Sequence, residues 1–262
     1  MTGLAAPGAA ADAIRRTNSM MLALEAIKDV TKLMLIVAGM YLAVRVYAHH
    51  RQPTWTDALD RRRVAILWLL LFVASAIKVS EDALRGESGP IDRAILLFIR
   101  EQTPPSLIGV FTAVTVSGSA NTLLPLTITA TLALLLAKRR FEAALLAGSV
   151  ISAAVVVYLV KLLAGRARPA LWETQWYWGS SFPSGHTLVV AAFATAAALV
   201  VSRLRPWARG VAYAAALLWI VLIGVSRLVL GVHWPTDVLA AACIGAALPL
   251  ALSIGLETCQ RW

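Results

Sequence analysis

Cysteine is scarce in this chain. The sequence also shows no spacing of residues that is typical of a metal site. The 262 residues include two cysteines, Cys243 and Cys259. A helix would separate their positions by about 24 Å, far beyond the reach of a disulfide bond. We therefore expect no disulfide framework, no metal site and no cofactor.

Charge is also scarce. Charged residues make up 15% of the chain, whereas hydrophobic residues make up 59% and the mean hydropathy is +0.74. Soluble domains are usually about 45–50% apolar, so the composition indicates a polytopic membrane protein. The 24 basic residues outnumber the 14 acidic ones, but they lie mainly between apolar runs. Basic loops of this kind stay in the cytoplasm, so we interpret the excess as topological and expect no nucleic-acid partner.

Seven apolar stretches approach the roughly 20 residues that a helix needs to cross a bilayer. They are 30–48, 64–80, 120–137, 142–163, 184–202, 210–230 and 237–257. We predict an all-α, polytopic membrane bundle with a six-helix core over 64–257. An N-terminal extension, 1–63, would carry one extra hydrophobic helix, and 258–262 would form a short cytoplasmic tail. The stretch 30–48 starts late and lacks a small-residue cleavage pattern, so we expect an uncleaved membrane segment.

Basic clusters orient the predicted helices. The clusters at 61–63, 138–140 and 203–209 each lie at the end of an apolar stretch. If all three face the cytoplasm, the polar motifs described below share the opposite face. We expect a bacterial cytoplasmic membrane, with these motifs facing the outside or the periplasm. The side of the N-terminus depends on whether 30–48 spans the bilayer, which we favour, or lies in the interface.

The segment 81–119 is of mixed character. Apolar residues at helical spacing around Asp92 and Arg93 predict an amphipathic helix on the outer surface. Pro104 and Pro105 would end it, and a short helix would follow over 106–117. We interpret both helices as packing elements, with a lid near the site as the alternative.

The first polar motif interrupts the end of the stretch 142–163. Lys161 would lie on the last helical turns, and Arg168 would lie beyond them, because a proline at 169 disfavours helix at the residue before it. Both side chains could then reach one anion, Arg168 as a planar fork and Lys161 as a point charge. The alternative for Lys161 is a side chain that snorkels to the interface. Arg166 could be a third contact to this anion, but we favour a surface role for it.

The second motif opens the stretch 184–202. Proline is favoured at a helix start, so Pro183 predicts that a helix begins here. The free backbone N–H groups of Ser184 and Gly185 would form an anion site, and Gly185 would let a phosphate approach closely. An ordinary helix start with His186 at the boundary is the alternative.

The third motif joins the last two apolar stretches. Pro235 would start the final helix, with His233 just before it and Asp237 in its first turn. Asp237 could hold one ring nitrogen of His233 and fix its tautomer. Nearby cations would lower the pKa of His233. Arg227 would complete a phosphate site, to which Ser226 could donate. The alternative for Asp237 is a favourable charge at a helix start.

These three motifs, K-x6-RP, PSGH and SR-x5-H-x3-D, resemble those of the type 2 phosphatidic acid phosphatase superfamily at every fixed position. The fixed positions are Lys161, Arg168, Pro169, Pro183, Ser184, Gly185, His186, Ser226, Arg227, His233 and Asp237. The resemblance covers 64–257 and implies a six-helix core. It also implies that His233 attacks phosphorus to form a phosphohistidine, and that His186 protonates the leaving oxygen. The cations and the two amides would stabilise the transition state without a metal.

The resemblance leaves the substrate open. We expect a membrane lipid phosphate phosphatase that acts on phosphatidate, phosphatidylglycerol phosphate, polyprenyl diphosphate or the phosphates of lipid A. A lipid phosphotransferase with the same site and, from another class, an anion transporter are the alternatives. Aromatic residues near the motifs would form an interfacial belt that could also guide a lipid chain. They are Trp172, Trp176, Tyr177, Trp178 and Trp234.

Overall fold

The computed structural model describes residues 28, 31–32, 34–47, 50, 62–174 and 177–259. Within these ranges the regular elements are helices, and no strand occurs. In chain order they are α1 Met34–Tyr47, α2 Arg63–Arg85, α3 Gly89–Gln102, α4 Pro105–Ser117, α5 Ala120–Leu136, α6 Arg140–Ala164, α7 Gly185–Leu204, α8 Arg209–Val229 and α9 Pro235–Cys259. A short 3-10 helix, Pro206–Ala208, precedes α8. The prediction of an all-α fold is confirmed.

The chain divides into two units between Leu67 and Trp68. In the first unit, α1 is an apolar helix of fewer than 18 residues that falls within the predicted stretch 30–48. Residues 1–27, 48–49 and 260–262 are among those outside the described part of the chain. The span of 30–48, the extension 1–63 and the tail 258–262 therefore stay predictions.

In the part of the chain that the structure describes, six helical stretches are long and apolar enough to cross a membrane, as expected for the core, and this is a multi-pass membrane protein. They are Arg63–Arg85, Pro105–Leu136, Arg140–Ala164, Gly185–Leu204, Pro206–Val229 and Pro235–Glu257. The second stretch combines α4 and α5, which are interrupted at Gly118 and Ser119. The predicted short helix over 106–117 is therefore α4, and it belongs to the same apolar stretch as α5.

The most buried of these helices are α7 and α9. About half of the spanning part of each is buried, 56% for α7 and 50% for α9, against 6% for α2. Helix α7 packs against α6, α8 and α9 through small residues such as Ala191, Ala192 and Ala196, which are fully buried. Within a membrane the hydrophobic effect does not drive helices together, because the lipid is itself apolar. Small residues instead let two helices approach closely enough for van der Waals packing. The polar motifs lie at the ends of these helices.

Gly245 marks the tightest contact between α7 and α9. A Cβ atom built there would lie 2.3 Å from the carbonyl oxygen of Leu188 and 2.7 Å from Cβ of Ala191. We expect Gly245→Ala to destabilise the protein by about 1–3 kcal/mol, because overpacking forces backbone shifts. Thermal unfolding in detergent measures this. Gly255→Ala on the same helix is the matched control, since nothing lies within 4 Å of that Cβ. Equal melting temperatures for the two variants would contradict the packing argument.

Candidate active site

The first motif extends across the end of α6. The helix stops at Ala164, so Lys161 lies in its last turn and Arg168 on the connection beyond it, as predicted. Nζ of Lys161 donates to the carbonyl of Ser180 at 2.5 Å. Nη1 of Arg168 donates to the carbonyl of Val232 at 2.9 Å. The two cations are therefore held by backbone carbonyls.

His233 lies between α8 and α9 and is almost completely buried, with 3% of its surface exposed. Its Nε2 lies 3.4 Å from Nη1 of Arg168. Its Nδ1 lies 3.5 Å from Oδ2 of Asp237, which is longer than a normal hydrogen bond. This arrangement favours the tautomer with its proton on Nδ1 and a lone pair on Nε2.

Burial lowers the pKa of His233 to about 4, although Asp237 acts in the opposite direction. Arg227 and Arg168 lower it further. The pKa is therefore lowered as predicted, but burial, rather than the charge of the cations, is the largest cause. The ring is therefore neutral at pH 7, and its Nε2 lone pair is available as a nucleophile.

Asp237 is fully buried in the first turn of α9. Its Oδ1 accepts a hydrogen bond from Nη1 of Arg166 at 2.5 Å. Its Oδ2 accepts from the N–H of Trp234 at 2.9 Å and also from the hydroxyl of Ser181. Both oxygens are therefore fixed, and Oδ2 is the one that faces His233.

Arg166 is not a surface residue, contrary to our expectation. Only 12% of its side chain is exposed, and it forms ion pairs with Asp237 and with Asp92 of α3, the latter at 2.7 Å. Asp92 is itself 1% exposed. The sequence-based interpretation failed because the partners lie 71 and 74 positions away along the chain. The only local signal was that Asp92 shares a helix face with Leu96, which is also buried.

The start of α7 differs in one respect from the prediction. Helix α7 begins at Gly185 with Ser184 as its N-cap, but the N–H of Ser184 donates to the backbone carbonyl of Asp237 at 3.2 Å. That amide is therefore not free for an anion. Gly185 opens the helix, where N–H groups have no intrahelical acceptor. A Cβ there would lie 3.3 Å from Val157 and 3.9 Å from Cε of Lys161, so this glycine also allows α7 to approach α6.

His186 follows in the first turn of α7. Its ring meets the ring of Tyr177 edge to face, with centroids 6.4 Å apart. Tyr177 also packs against two cations, Arg168 at 5.4 Å and Arg227 at 4.7 Å from its ring centre. The sequence predicts Tyr177 in an aromatic belt, whereas in the structure it lies among the site residues. Trp176, from the same predicted belt, lies outside the described residues.

Arg227 is fully buried near the end of α8. Its Nη1 donates to the hydroxyl of Thr115 at 2.7 Å and to that of Tyr177 at 3.4 Å. Ser226 does not supply the expected donor, because its hydroxyl donates to the carbonyl of Ile223 at 2.7 Å within α8. Back-bonding of this kind is common for serine in helices. Thr115, on α4, is a contact that the motifs did not indicate.

Several buried donors around His233 have no hydrogen-bond partner in the described structure. They are Nε and Nη2 of Arg227, Nε of Arg168 and Nδ1 of His233 itself, whose distance to Asp237 is too long for a hydrogen bond. Burial, followed by the charge of Arg227, lowers the pKa of Arg168, which shows that like charges are crowded here. An unmet buried donor costs roughly 1–3 kcal/mol, and more when it is charged. The unmet donors of the two guanidinium groups are therefore suited to an anion, and Arg168 lies beside Nε2 of His233.

The fold and this arrangement define the class of protein. The PAP2 superfamily pattern matches residues 142–260, a range that contains all three motifs. This part of the chain is similar to the PAP2 superfamily, which confirms the resemblance seen in the sequence motifs.

Two curated relatives and two solved structures are similar to this chain. Lipid A 1-phosphatase of Rhizobium johnstonii is 32% identical over 121 residues, 42% of this chain and 46% of the relative. Phosphatidylglycerophosphatase B of Escherichia coli K12 is 43% identical over 70 residues, 27% and 26% of the two chains. The chain thus spans less than half the length of these relatives.

The structural neighbours extend the similarity over more of the fold. The transmembrane PAP2-type phosphatidylglycerolphosphate phosphatase from Bacillus subtilis has a TM-score of 0.63 and 25% identity, and the match covers 76% of this chain and 98% of that one. Aquifex aeolicus LpxE has a TM-score of 0.50 and 26% identity, with 61% and 92% covered. Both neighbours therefore match over most of their own length.

Proposed function

We propose that this protein is a membrane lipid phosphate phosphatase that works through a phosphohistidine on His233. The single observation that carries the proposal is the set of unpartnered buried donors of Arg168 and Arg227, where Nη1 of Arg168 lies 3.4 Å from Nε2 of His233. A phosphate monoester has the charge and the acceptor oxygens that these donors lack. The names of the relatives, which include a lipid A phosphatase and a phosphatidylglycerophosphatase, agree with this chemistry.

The first step is attack by His233. Its Nε2 lone pair forms a bond to phosphorus while the bond from phosphorus to the leaving oxygen breaks. His186 donates a proton to that oxygen, so that the alcohol leaves neutral. Asp237 orients the ring and stabilises the positive charge that develops on it. The product of this step is a phosphohistidine and a dephosphorylated lipid.

The second step is hydrolysis of the phosphohistidine. His186, now deprotonated, accepts a proton from water as the water oxygen attacks phosphorus, and the bond from nitrogen to phosphorus breaks. Inorganic phosphate and free His233 result. Lys161, Arg168, Arg227 and the Gly185 amide stabilise the equatorial oxygens in both steps, the role that metal ions have in other phosphoryl transfer enzymes. We leave Ser184 N–H and Ser226 out of this set, because each already donates within the protein.

We also propose that the site faces the outside or periplasm of a bacterial cytoplasmic membrane. The basic clusters at 138–140 and 203–209 lie at the ends of α5 and α7, opposite to the helix ends that carry the motifs. Positive loops favour the cytoplasm, which supports this orientation.

A lipid panel tests the proposed function. Purified protein in detergent is incubated with phosphatidate, phosphatidylglycerol phosphate, polyprenyl diphosphate and lipid A, and inorganic phosphate is measured. We expect release from at least one lipid, inhibition by vanadate and no loss of activity with EDTA. Release from none would defeat the proposal, and loss with EDTA would introduce a metal into the mechanism. A lipid phosphotransferase would instead give a phosphorylated acceptor lipid without free phosphate.

A further inference from the structure

Asp92 is a buried carboxylate outside the part of the chain that matches the PAP2 superfamily pattern. Its Oδ1 accepts from the N–H of Thr236 at 3.0 Å. Its Oδ2 accepts from Nη2 of Arg166 at 2.7 Å, from the hydroxyl of Thr236 at 2.6 Å and from that of Ser88 at 2.9 Å. A carboxylate that only docks one helix on another needs fewer hydrogen bonds than these. The strongest of the partners is the charged guanidinium of Arg166.

Arg166 stands between two carboxylates. Its Nη2 donates to Asp92, and its Nη1 donates to Oδ1 of Asp237 at 2.5 Å. The opposite oxygen of Asp237 is the one that faces His233. The guanidinium therefore acts together with the Trp234 N–H and the Ser181 hydroxyl to set how Asp237 presents Oδ2 to the histidine ring.

The two carboxylates divide the charge of one guanidinium. If Arg166 were paired with Asp237 alone, its full positive charge would draw electron density from that carboxylate. Asp237 would then stabilise an imidazolium on His233 less well. Asp92 takes part of the charge of Arg166, and Asp237 keeps more of its negative charge for His233.

We propose that Asp92 and Arg166 are positioning residues, which fix the orientation and the charge of Asp237 and so act on His233 without touching the substrate. This inference depends on the proposed function. The alternative is a purely structural role, in which Asp92 only anchors α3 on the start of α9 through Thr236.

Asp92→Asn separates these possibilities, because asparagine has the same shape and can still accept from Thr236 while losing its charge. We expect kcat to fall about 10- to 100-fold with KM within about twofold of the wild type, since only transition-state charge is affected. Ser88→Ala is the control, because it removes the hydrogen bond to Asp92 and a longer one from Arg166 at 3.3 Å. It keeps both carboxylates and the ion pairs of Arg166 with Asp92 and Asp237. We expect kcat of this variant within twofold of the wild type.

A wild-type kcat for Asp92→Asn would overturn the positioning role, whatever the effect on the melting temperature. So would equal losses of kcat in Asp92→Asn and Ser88→Ala, because that result would indicate anchoring alone. Wild-type protein that releases no phosphate from any lipid would defeat the proposed function itself, and this outcome is distinct from either of the others.

A cavity of about 430 Å³ lies beside the cations. Three of its lining residues contact them: Thr115 and Tyr177 bind Arg227, and the carbonyl of Val232 binds Arg168. The volume is in the range of small-molecule sites. If a phosphate binds to these cations, the group attached to that phosphate can extend into this cavity.

Polar and apolar side chains both line the cavity. Arg100 and Glu173 line it together with Thr112 and Thr174, and the guanidinium of Arg100 lies 5.3 Å from the ring centre of Trp172. A hydrocarbon chain would desolvate these groups without replacing their hydrogen bonds. A hydroxylated group could donate to the carboxylate and accept from the guanidinium.

We infer that this cavity binds a hydroxylated headgroup, a glycerol or sugar unit that carries the scissile phosphate. This second inference also depends on the proposed function. It favours phosphatidylglycerol phosphate and lipid A, in which the unit that carries the phosphate has a free hydroxyl. In phosphatidate that unit is a fully acylated glycerol, and in polyprenyl diphosphate the terminal phosphate is joined to another phosphate.

Arg100→Gln and Glu173→Gln test the inference with phosphatidate, phosphatidylglycerol phosphate and lipid A in mixed micelles. We expect KM to rise at least about fivefold for the glycerol or the sugar substrate, with KM for phosphatidate unchanged. Whichever substrate responds identifies the headgroup. Arg93→Gln is the matched control, since it removes an exposed arginine of the same helix that does not line the cavity.

Equal changes for all three lipids, or none, would overturn the headgroup site. A wild-type enzyme that prefers phosphatidate or polyprenyl diphosphate would also overturn it while leaving the phosphatase proposal intact. Phosphate release from no lipid defeats the phosphatase proposal instead.

Discussion

Replacing His233 by alanine is expected to lower phosphate release by at least roughly 10⁴-fold, because the nucleophile of the first step is lost. The side chain is buried, and the removal of its ring leaves the ion pair from Arg166 to Asp237 in place, so the fold should persist. Phosphate release is measured on the preferred lipid, and circular dichroism and gel filtration check the fold. Near-normal turnover would show that His233 is not the nucleophile.

The proposed intermediate gives this prediction a second readout. With p-nitrophenyl phosphate the leaving group needs no proton, so His186→Ala should still form the phosphohistidine and then hydrolyse it slowly. We expect a burst of about one nitrophenolate per protein for His186→Ala and no burst for His233→Ala. A burst in both variants, or in neither, would contradict the division of roles between the two histidines.

Replacing Arg227 by methionine is expected to lower kcat/KM about 10³-fold and to raise the melting temperature. The loss of activity follows from removing a cation aimed at the transition state. The gain in stability follows because a buried guanidinium with two unpartnered nitrogens is removed, and apolar replacements of buried charge are often stabilising. Phosphate release and thermal unfolding in detergent measure the two effects.

Arg203→Met is the matched control for Arg227→Met. Arg203 forms ion pairs with Glu257 at 2.5 Å and Glu142 at 3.5 Å, and it lies at the end of α7 opposite to the motifs. We expect this variant to keep its activity and to melt slightly lower. A fall in melting temperature for Arg227→Met, as large as that for Arg203→Met, would indicate that Arg227 is chiefly structural.

The helix ends of the site could be predicted from the sequence because local signals set them. Pro169 placed Arg168 beyond α6, and Pro235 placed His233 before α9 and Asp237 within it. Each signal acts within a few residues of the position that it determines. The placement of the three motifs on one face of the membrane could be predicted by counting the helices between them. That count requires only hydropathy and the positions of the basic clusters.

The remaining contacts depend on tertiary packing, which those signals do not contain. The amide of Ser184 has no acceptor in its own helix, but the start of α9 supplies the carbonyl of Asp237. Asp92 appears in the sequence as one charge on an amphipathic helix, and only the docking of α3 reveals that it faces Arg166. Such pairings depend on which helix faces pack against each other, and this cannot be predicted from a single sequence.

The bond from the Ser184 amide to the Asp237 carbonyl has a consequence for how the protein responds to its lipid surroundings. It joins the starts of α7 and α9, which also make a close contact at Gly245. A thinner or thicker bilayer acts on the exposed outer helices, which can tilt, whereas we expect this pair to move as one body. Bilayer thickness should therefore alter how readily a lipid reaches the site, and leave the distance between the proton donor and the nucleophile unchanged.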